Sequence, residues 1–291
     1  ILDFSVSYPS AERVQLATNY RCPPEVVAAS ARLIDVNRER FAKRITAGKC
    51  AAQGGTSAAL LAYPTTAPEW PDRLATFAAA RAVDGHRACL LSRTRAELAP
   101  VALALVRAGI PHAMTIRGPL DDEAVTALLD DLRRAPGGAP PFTTLLRARA
   151  ARGWRRHDET DALGDENHGA LDGLLGWSAG FRSVEAFLAG LDEVRARLAA
   201  LRDPSAPVEL ITVHAAKGRE WETVIVLGFE EERFPNRRAL VGATQPERAV
   251  EEERRLAYVA LTRATEQLVL AFDPEKPSRF LAEMGVIWRE D

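Results

Sequence analysis

The sequence predicts an α/β fold in which a helical insertion interrupts a parallel sheet. Apolar, strand-like segments alternate with helical segments of ten or more residues, a pattern typical of parallel sheets with right-handed crossovers. A long helical stretch without a convincing strand follows, and strand-like sequence then resumes at residue 208. The predicted strands of the sheet are 58–63, 87–92, 110–116, 208–213, 223–228 and 267–272.

Local signals place the helices between these strands. Residues 13–16 are apolar enough for a short strand, and Pro23-Pro24-Glu25 then opens an amphipathic helix. Proline at a first helical position and an acid in the first turn are start signals. The predicted helices that separate or follow the strands are 68–83, 98–107 and 245–264.

The middle of the chain differs in character. From Asp121 to Leu201 it is rich in Ala, Leu and Arg with helical periodicity, and Ser183 is placed to cap a helix over 184–201. We therefore predict a discontinuous α/β domain over 1–120 and 203–291, and a helical insertion subdomain over 121–202.

Composition narrows the function classes. A formal charge of −2 and a pI near 6.3 exclude a uniformly basic surface, so any DNA contact must be local, and a small-molecule enzyme or binding module stays open. No apolar run approaches the ~20 residues of a membrane span, which favours a cytoplasmic protein without a membrane partner. The three cysteines form no C-x-x-C pair and no histidines stand at i, i+4, so we expect no metal site.

Three polar segments are candidates for chemistry. The first runs from Leu210 to Trp221 and carries His214, Lys217 and Glu220 after a buried strand, and the carboxyl ends of parallel strands are where open α/β sheets bind ligands. The second, Glu251 to Ala264, has acids early and Arg263 late, which also suits ordinary helix building. The third is the polar junction Asn19-Tyr20-Arg21-Cys22.

In order, these segments resemble motifs four, five and six of UvrD/Rep/PcrA-type superfamily 1 DNA helicases, in the carboxy-terminal half. The family forms are N-Y-R-S, T-x-H-x-x-K-G-x-E and E-E-R-R-L-x-Y-V-x-x-T-R-A. They stand here as residues 19–22, 212–220 and 252–264. Leu227 to Pro235 similarly resembles the family's G-x-E-E-G-x-F-P, and Leu91 to Thr94 its L-x-R-T.

The resemblance implies that residues 1–120 and 203–291 form a discontinuous RecA-like, P-loop NTPase-like domain with a shortened helical insertion subdomain over 121–202. It also implies roles at an ATP site. Arg21 and Arg263 would be catalytic arginines that reach the γ-phosphate of ATP, and Glu220 would hydrogen-bond the ribose. A guanidinium suits phosphate because it stays charged and offers a planar fork of donors. ATP with Mg²⁺ would be bound mainly by an amino-terminal RecA-like domain.

The resemblance also implies a DNA role. His214 and Lys217 would couple the nucleotide state to single-stranded DNA, and Arg93 would contact the DNA backbone. The resemblance further implies partly duplex DNA, the amino-terminal RecA-like domain in cis and DNA-repair proteins as partners.

Some positions depart from the family pattern. Cys22 replaces the usual serine, which removes a hydroxyl group able to form a strong hydrogen bond. Arg219 and Trp221 replace the common Leu and Phe. Glu232 stands where glycine is frequent, so we expect altered loop geometry. The insertion is short for the family and lacks its usual G-I-G signature.

No G-x-x-x-x-G-K-[ST] phosphate loop and no acidic Walker-B strand occur in the sequence. Together with the resemblance, this leads us to expect the carboxy-terminal part of an ATP-dependent DNA helicase or translocase that acts in DNA repair or recombination. We expect it to move 3′ to 5′ along DNA and to be inactive without the Walker A/B domain. The alternative is a non-catalytic DNA- or protein-binding module from a truncated helicase paralogue.

Overall fold

The chain folds into two compact units in the computed structural model. The structure describes residues 7–12, 14–40, 43–48, 58–114, 120, 123–135, 137–154, 171, 174–241 and 243–288. The first unit comprises Ile1–Arg93 with Pro207–Asp291, and the second comprises Thr94–Ala206. The predicted domain limits, at residues 120/121 and 202/203, stay a prediction about domain organisation.

A parallel sheet forms the centre of the first unit. Its strands lie in the order β3-β8-β7-β4-β6, and each neighbouring pair is parallel. The predicted α/β fold is therefore confirmed, and each of these strands overlaps a predicted one. Their bounds are β3 Leu60–Pro64, β4 Ala88–Ser92, β6 Val208–Thr212, β7 Trp221–Leu227 and β8 Ala264–Phe272.

The register of the sheet decides which loops share an edge. Ser92 is paired with Thr212 and with Leu227, so β4, β6 and β7 end together. Trp221 is paired with Ala264, so β7 and β8 begin together at the opposite edge. Because a chain joining two parallel strands must return to the starting edge, the segment 213–220 runs from the carboxyl edge to the amino edge.

Helices cover both faces of this sheet, as expected for buried parallel strands. Alternate residues of β8, Leu268, Leu270 and Phe272, belong to an apolar cluster that also contains residues of α1, α8 and α9. Helix α2 lies against β4 and β7. The helices of this unit are α1 Pro24–Asp35, α2 Trp70–Arg81, α7 Arg237–Val241, α8 Pro246–Leu261 and α9 Arg279–Met284.

The predicted strand at 13–16 is wrong. Residues 14–17 have no regular structure, and Val14 and Leu16 are 75% and 81% exposed; Arg13 lies outside the described residues. A two-residue strand, β1 Thr18–Asn19, lies slightly later and pairs in parallel with β2 Thr46–Ala47. Apolar sequence alone does not make a strand, because strand preference depends on packing against a neighbour.

The second unit is mainly helical in its described part. Leu128, Leu145 and Phe187 are fully buried in its apolar core. The centroids of the Trp177 and Phe187 rings lie 5.3 Å apart there. Ser183 accepts a hydrogen bond from the backbone N–H of Ala186 at 3.2 Å, which confirms the predicted cap. Its elements are α3 Ala99–Arg107, β5 Ala113–Met114, α4 Glu123–Arg134, α5 Pro141–Ala151 and α6 Val184–Leu201.

Within the described ranges, no helix combines the length and the apolar character that a membrane crossing requires.

Candidate functional site

The junction between β1 and α1 positions Arg21. The side-chain oxygen of Asn19 accepts hydrogen bonds from the backbone N–H groups of Arg21 at 2.8 Å and Cys22 at 3.0 Å. Asparagine stabilises a turn in this way, because its side chain replaces a backbone acceptor. The turn ends where Pro24 starts α1, so the asparagine of the motif builds the corner that carries the arginine.

The Arg21 side chain joins residues that are distant in the sequence. Its Nε donates to Oε2 of Glu220 at 2.5 Å, and its Nη1 donates to the carbonyl of Thr262 at 3.5 Å. The Arg21 and Glu220 side chains are 40% and 55% exposed. The ion pair is therefore open to solvent, where such pairs contribute roughly 0–1 kcal/mol and exchange partners readily.

Arg263 is held more tightly, immediately after α8. It is only 9% exposed, and its Nε donates to the carbonyl of Val259 at 2.9 Å. Its Nη1 donates to the carbonyl of Arg219 at 3.0 Å. Since both acceptors are main-chain atoms, the guanidinium has a fixed direction while other N–H groups of its fork stay available.

The charges at this site favour an anion. Burial, together with the positive charge of Arg21, lowers the pKa of the Arg263 guanidinium. Arginine nevertheless stays protonated in proteins, so two like charges lie close together with one exposed carboxylate. A bound anion such as a phosphate would relieve this repulsion and satisfy the remaining N–H donors.

The three residues predicted for nucleotide contact are thus brought together, as the Arg21–Glu220–Arg263 cluster. The cluster lies at the amino ends of β7 and β8, because Glu220 precedes β7 and Arg263 precedes β8. The expectation that the whole polar segment after β6 sits at the carboxyl edge is therefore wrong for Glu220. The segment 213–220 crosses the sheet, which strand patterns alone do not reveal.

The residues predicted for DNA contact lie towards the other edge. His214 and Lys217 are exposed in the turns that follow β6, and among the described residues neither side chain has a hydrogen-bond or ion-pair partner. Gly218 has φ of 84°, a left-handed conformation that favours glycine. Gly218 therefore has a backbone role in this motif, beside the chemical role expected of Lys217.

Arg93 has a structural partner. Its Nε and Nη2 donate to the Glu253 carboxylate at 2.8 to 3.2 Å, and Glu253 is 2% exposed. Glu253 also accepts from the backbone N–H of Asn236 at 2.9 Å. The pair therefore ties the end of β4 to α8 and to the loop after β7, and a DNA contact by Arg93 stays a prediction.

The other charged residues of α8 also connect structural elements. The Arg254 guanidinium donates to Oδ1 of Asn37 at 2.6 Å and to both carboxylate oxygens of Glu283 at 2.7 and 2.8 Å. Its Cζ lies 5.4 Å from the centroid of the Phe280 ring. Arg254 is thus a buried link between the end of α1, α8 and α9.

Glu209 is a candidate that the sequence reasoning missed. It is 4% exposed on β6, and Nη1 and Nη2 of Arg219 donate to its two oxygens at 2.6 Å each. Nε1 of Trp221 donates to the same carboxylate at 3.1 Å, and Arg87 does so at 3.3 Å. A charged residue within an apolar strand was the available signal, since such residues are buried only when they are paired.

Two further departures from the family pattern have a structural account. The Cys22 thiol is fully buried, and its Sγ lies 3.6 Å from the carbonyl oxygen of Thr262. A weak hydrogen bond therefore remains where a serine hydroxyl would donate a stronger one. Glu232 has φ of 70°, so the loop keeps a left-handed residue although its side chain is not that of glycine.

We predict that Glu232→Gly stabilises the chain by about 0.5–1 kcal/mol, because relief of left-handed strain exceeds the backbone entropy that glycine adds. Urea unfolding followed by circular dichroism measures the difference. Glu252→Gly, at an exposed position inside α8, is the matched control and should destabilise by about 1 kcal/mol. Equal losses in both variants would show that residue 232 carries no strain.

Part of the chain matches a known protein family. Residues 191–274, which include Glu220 and Arg263, match the family model described as UvrD-like helicase C-terminal domain. Over 326 aligned residues the chain is 30% identical to the ATP-dependent DNA helicase UvrD2 of Mycobacterium tuberculosis, covering 100% of this chain and 44% of UvrD2. The chain therefore spans less than half the length of that relative.

Two other relatives match shorter parts. The ATP-dependent DNA helicase PcrA of Bacillus subtilis is 43% identical over 89 residues, covering 26% of this chain and 11% of PcrA. DNA helicase II of Haemophilus influenzae is 41% identical over 87 residues, covering 26% of this chain and 11% of that protein.

Proposed function

Because this chain carries a UvrD-like helicase C-terminal domain, we propose that it completes the ATP site of an ATP-dependent DNA helicase or translocase. In this proposal Arg21 and Arg263 donate to the γ-phosphate, and Glu220 accepts from the ribose. An amino-terminal RecA-like domain in cis binds ATP with Mg²⁺. The chain alone is inactive because it supplies only one side of this site.

The observation that carries the proposal is the approach of two guanidinium groups beside a single exposed carboxylate. Arg263 is directed by two main-chain carbonyls, and Arg21 is held by Glu220 and by the carbonyl of Thr262. Hydrolysis places developing charge on the phosphate oxygens, and donors fixed in advance stabilise that charge most. Arginines that act in this way increase the rates of phosphoryl transfer by about 10³- to 10⁵-fold.

Glu220 and Arg21 must exchange partners when nucleotide binds. Arg21 and Glu220 bind each other in the structure, whereas in the proposal Arg21 turns to phosphate and Glu220 to a hydroxyl donor. The exposure of the pair keeps the cost of this exchange small.

The groups present do not form a magnesium site. The cluster offers two guanidinium groups and one carboxylate that is already paired, whereas Mg²⁺ prefers several oxygen ligands in octahedral geometry. This chain therefore provides cationic donors to the phosphates, and the metal that accompanies ATP is assigned to the other RecA-like domain.

DNA coupling is proposed for the segment 213–220. His214 and Lys217 are exposed near its start, and Glu220 contacts Arg21 at its end. A change at the nucleotide end would be transmitted along only eight residues to groups able to contact a phosphate backbone. Single-stranded or partly duplex DNA is the proposed substrate, with 3′-to-5′ movement. A role in cytoplasmic DNA repair or recombination alongside repair proteins belongs to the same proposal.

For the test, we predict that Glu220→Gln in the full-length protein raises the KM for ATP about tenfold, since a neutral amide accepts a weaker hydrogen bond than a carboxylate. The kcat should change much less, because the ribose contact is the same in the ground and transition states. Steady-state ATPase assays with single-stranded DNA measure both constants.

Glu222→Gln is the matched control, because Glu222 lies two residues away and accepts from the backbone of Arg87 rather than from the cluster. An unchanged KM in Glu220→Gln would refute the ribose contact. Absence of DNA-stimulated ATPase in the full-length protein itself would favour the non-catalytic binding module instead.

A further inference from the structure

Three consecutive residues, 219–221, contact both arginines of the Arg21–Glu220–Arg263 cluster. The carbonyl of Arg219 accepts from the Arg263 side chain at 3.0 Å, and the N–H of Trp221 donates to the Arg263 carbonyl at 3.1 Å. Between them, Glu220 accepts from Arg21 at 2.5 Å. The position of this short segment therefore sets the position of both guanidinium groups.

The segment is in turn fixed by Glu209. The side chains of Arg219 and Trp221, on either side of Glu220, both donate to the Glu209 carboxylate, at 2.6 and 3.1 Å. The Arg219 guanidinium also lies over the Trp221 ring, with its Cζ 5.0 Å from the ring centroid. Glu209 is buried on β6, which pairs with β4 inside the sheet, so the anchor belongs to the rigid part of the unit.

The unusual residues of this chain thus occur as one set. The family pattern has apolar Leu and Phe at positions 219 and 221, whereas here Arg219 and Trp221 both bind Glu209. A buried carboxylate is stable only with partners, and the bidentate Arg219 pair supplies a fixed geometry that an apolar contact lacks. In this chain, hydrogen bonds to Glu209 therefore hold residues 219–221, where the family pattern has apolar side chains.

We infer that Glu209 and Arg219 are positioning residues that hold Arg263 and Arg21 in place for phosphoryl transfer. The inference rests on the proposed function, because it assigns these residues to the same ATP site. Neither residue touches the nucleotide; each acts through the main chain of residues 219–221. Displacement of a catalytic group by about 1 Å can reduce the rate by about 10²-fold. Breaking the Glu209–Arg219 pair should therefore slow ATP hydrolysis although Arg21 and Arg263 are both still present.

The first test is Arg219→Lys in the full-length protein. Lysine keeps the positive charge beside Glu209 but loses the two parallel hydrogen bonds. Because the Arg219 side chain is 37% exposed, we expect the variant to fold. We expect the kcat of DNA-stimulated ATP hydrolysis to fall about tenfold or more, with a smaller change in KM. Glu209→Gln should act in the same direction. Glu222→Gln, whose side chain accepts from the backbone N–H of Arg87 and not from the cluster, should leave kcat within about twofold.

The second readout is hydrogen–deuterium exchange by mass spectrometry of the same variants. The amide of Trp221, which donates to Arg263, should exchange faster in Arg219→Lys and Glu209→Gln. The amide of Asn236, which donates to Glu253, should be unchanged and serves as the internal control. A merely global loss of stability would accelerate both amides.

The outcomes separate this inference from the proposed function. Unchanged kcat in both variants overturns the inference, whatever their exchange. Equal acceleration at Trp221 and Asn236 also overturns it, because the effect is then global. If Arg263→Ala leaves kcat intact, the proposed function fails, whereas selective acceleration at Trp221 would still support the link from Glu209 to Arg263.

Discussion

Arg263→Ala in the full-length protein is expected to reduce the kcat of DNA-stimulated ATP hydrolysis by about 10³-fold or more, the scale of arginine-finger losses in phosphoryl transfer. The KM for ATP should change little, because the contact strengthens only as charge develops on the phosphate. Two main-chain carbonyls already direct the Arg263 guanidinium. The alanine variant therefore lacks a hydrogen-bond donor that is fixed in position before the reaction.

Arg248→Ala is the matched control for that result. Arg248 lies on α8, the helix that precedes Arg263, with a side chain 56% exposed and ion-pair distances of 3.7 and 3.9 Å to the carboxylates of Glu39 and Glu252. Its replacement should leave kcat within about twofold, because such loose surface pairs contribute little. A loss of less than tenfold in Arg263→Ala, or an equal loss in the control, would contradict the assigned role.

Arg254→Leu is expected to destabilise the chain by about 3–5 kcal/mol, the scale at which removal of one partner leaves a buried charge without compensation. Arg254 is 5% exposed, and its loss leaves Glu283 and Asn37 without their shared donor. Urea unfolding of the purified chain, followed by circular dichroism, measures the change in the free energy of unfolding.

Arg255→Leu provides the comparison at the neighbouring motif position. The Arg255 side chain is 38% exposed, pairs with Glu251 at 3.3 Å and donates to the carbonyl of Glu39 at 2.8 Å. Its replacement should therefore cost only about 1 kcal/mol. Similar losses in the two variants would refute a special role for Arg254. The pair of variants thus compares the buried arginine of the motif with its partly exposed neighbour.

Much of the sheet was predictable because its strands are buried on both faces. Mainly apolar runs such as 208–213 and 223–228 mark such strands, and helices between other strands of the sheet indicate the parallel direction. The error at residues 13–16 has a related cause. The residues there are apolar, but strand formation depends on a neighbouring strand that local sequence does not report.

The candidate site was predictable in its residues but not in its arrangement. The motif resemblance selected Arg21, Glu220 and Arg263, yet it did not indicate that the segment 213–220 crosses from one edge of the sheet to the other. Nor did it indicate that Arg93 pairs with Glu253. These facts depend on strand register and on long-range ion pairs, which have no local signature in the sequence.

The central claim is that Arg21 and Arg263 act on the γ-phosphate of ATP. A crystal structure of the full-length protein with single-stranded DNA, ADP and aluminium fluoride, a mimic of the transferred phosphoryl group, tests it most directly. We expect guanidinium nitrogens of both arginines within about 3 Å of the fluoride or phosphate oxygen atoms, and the Arg21–Glu220 ion pair broken. A closed complex in which Arg21 still binds Glu220 and Arg263 binds only main-chain carbonyls would contradict the account.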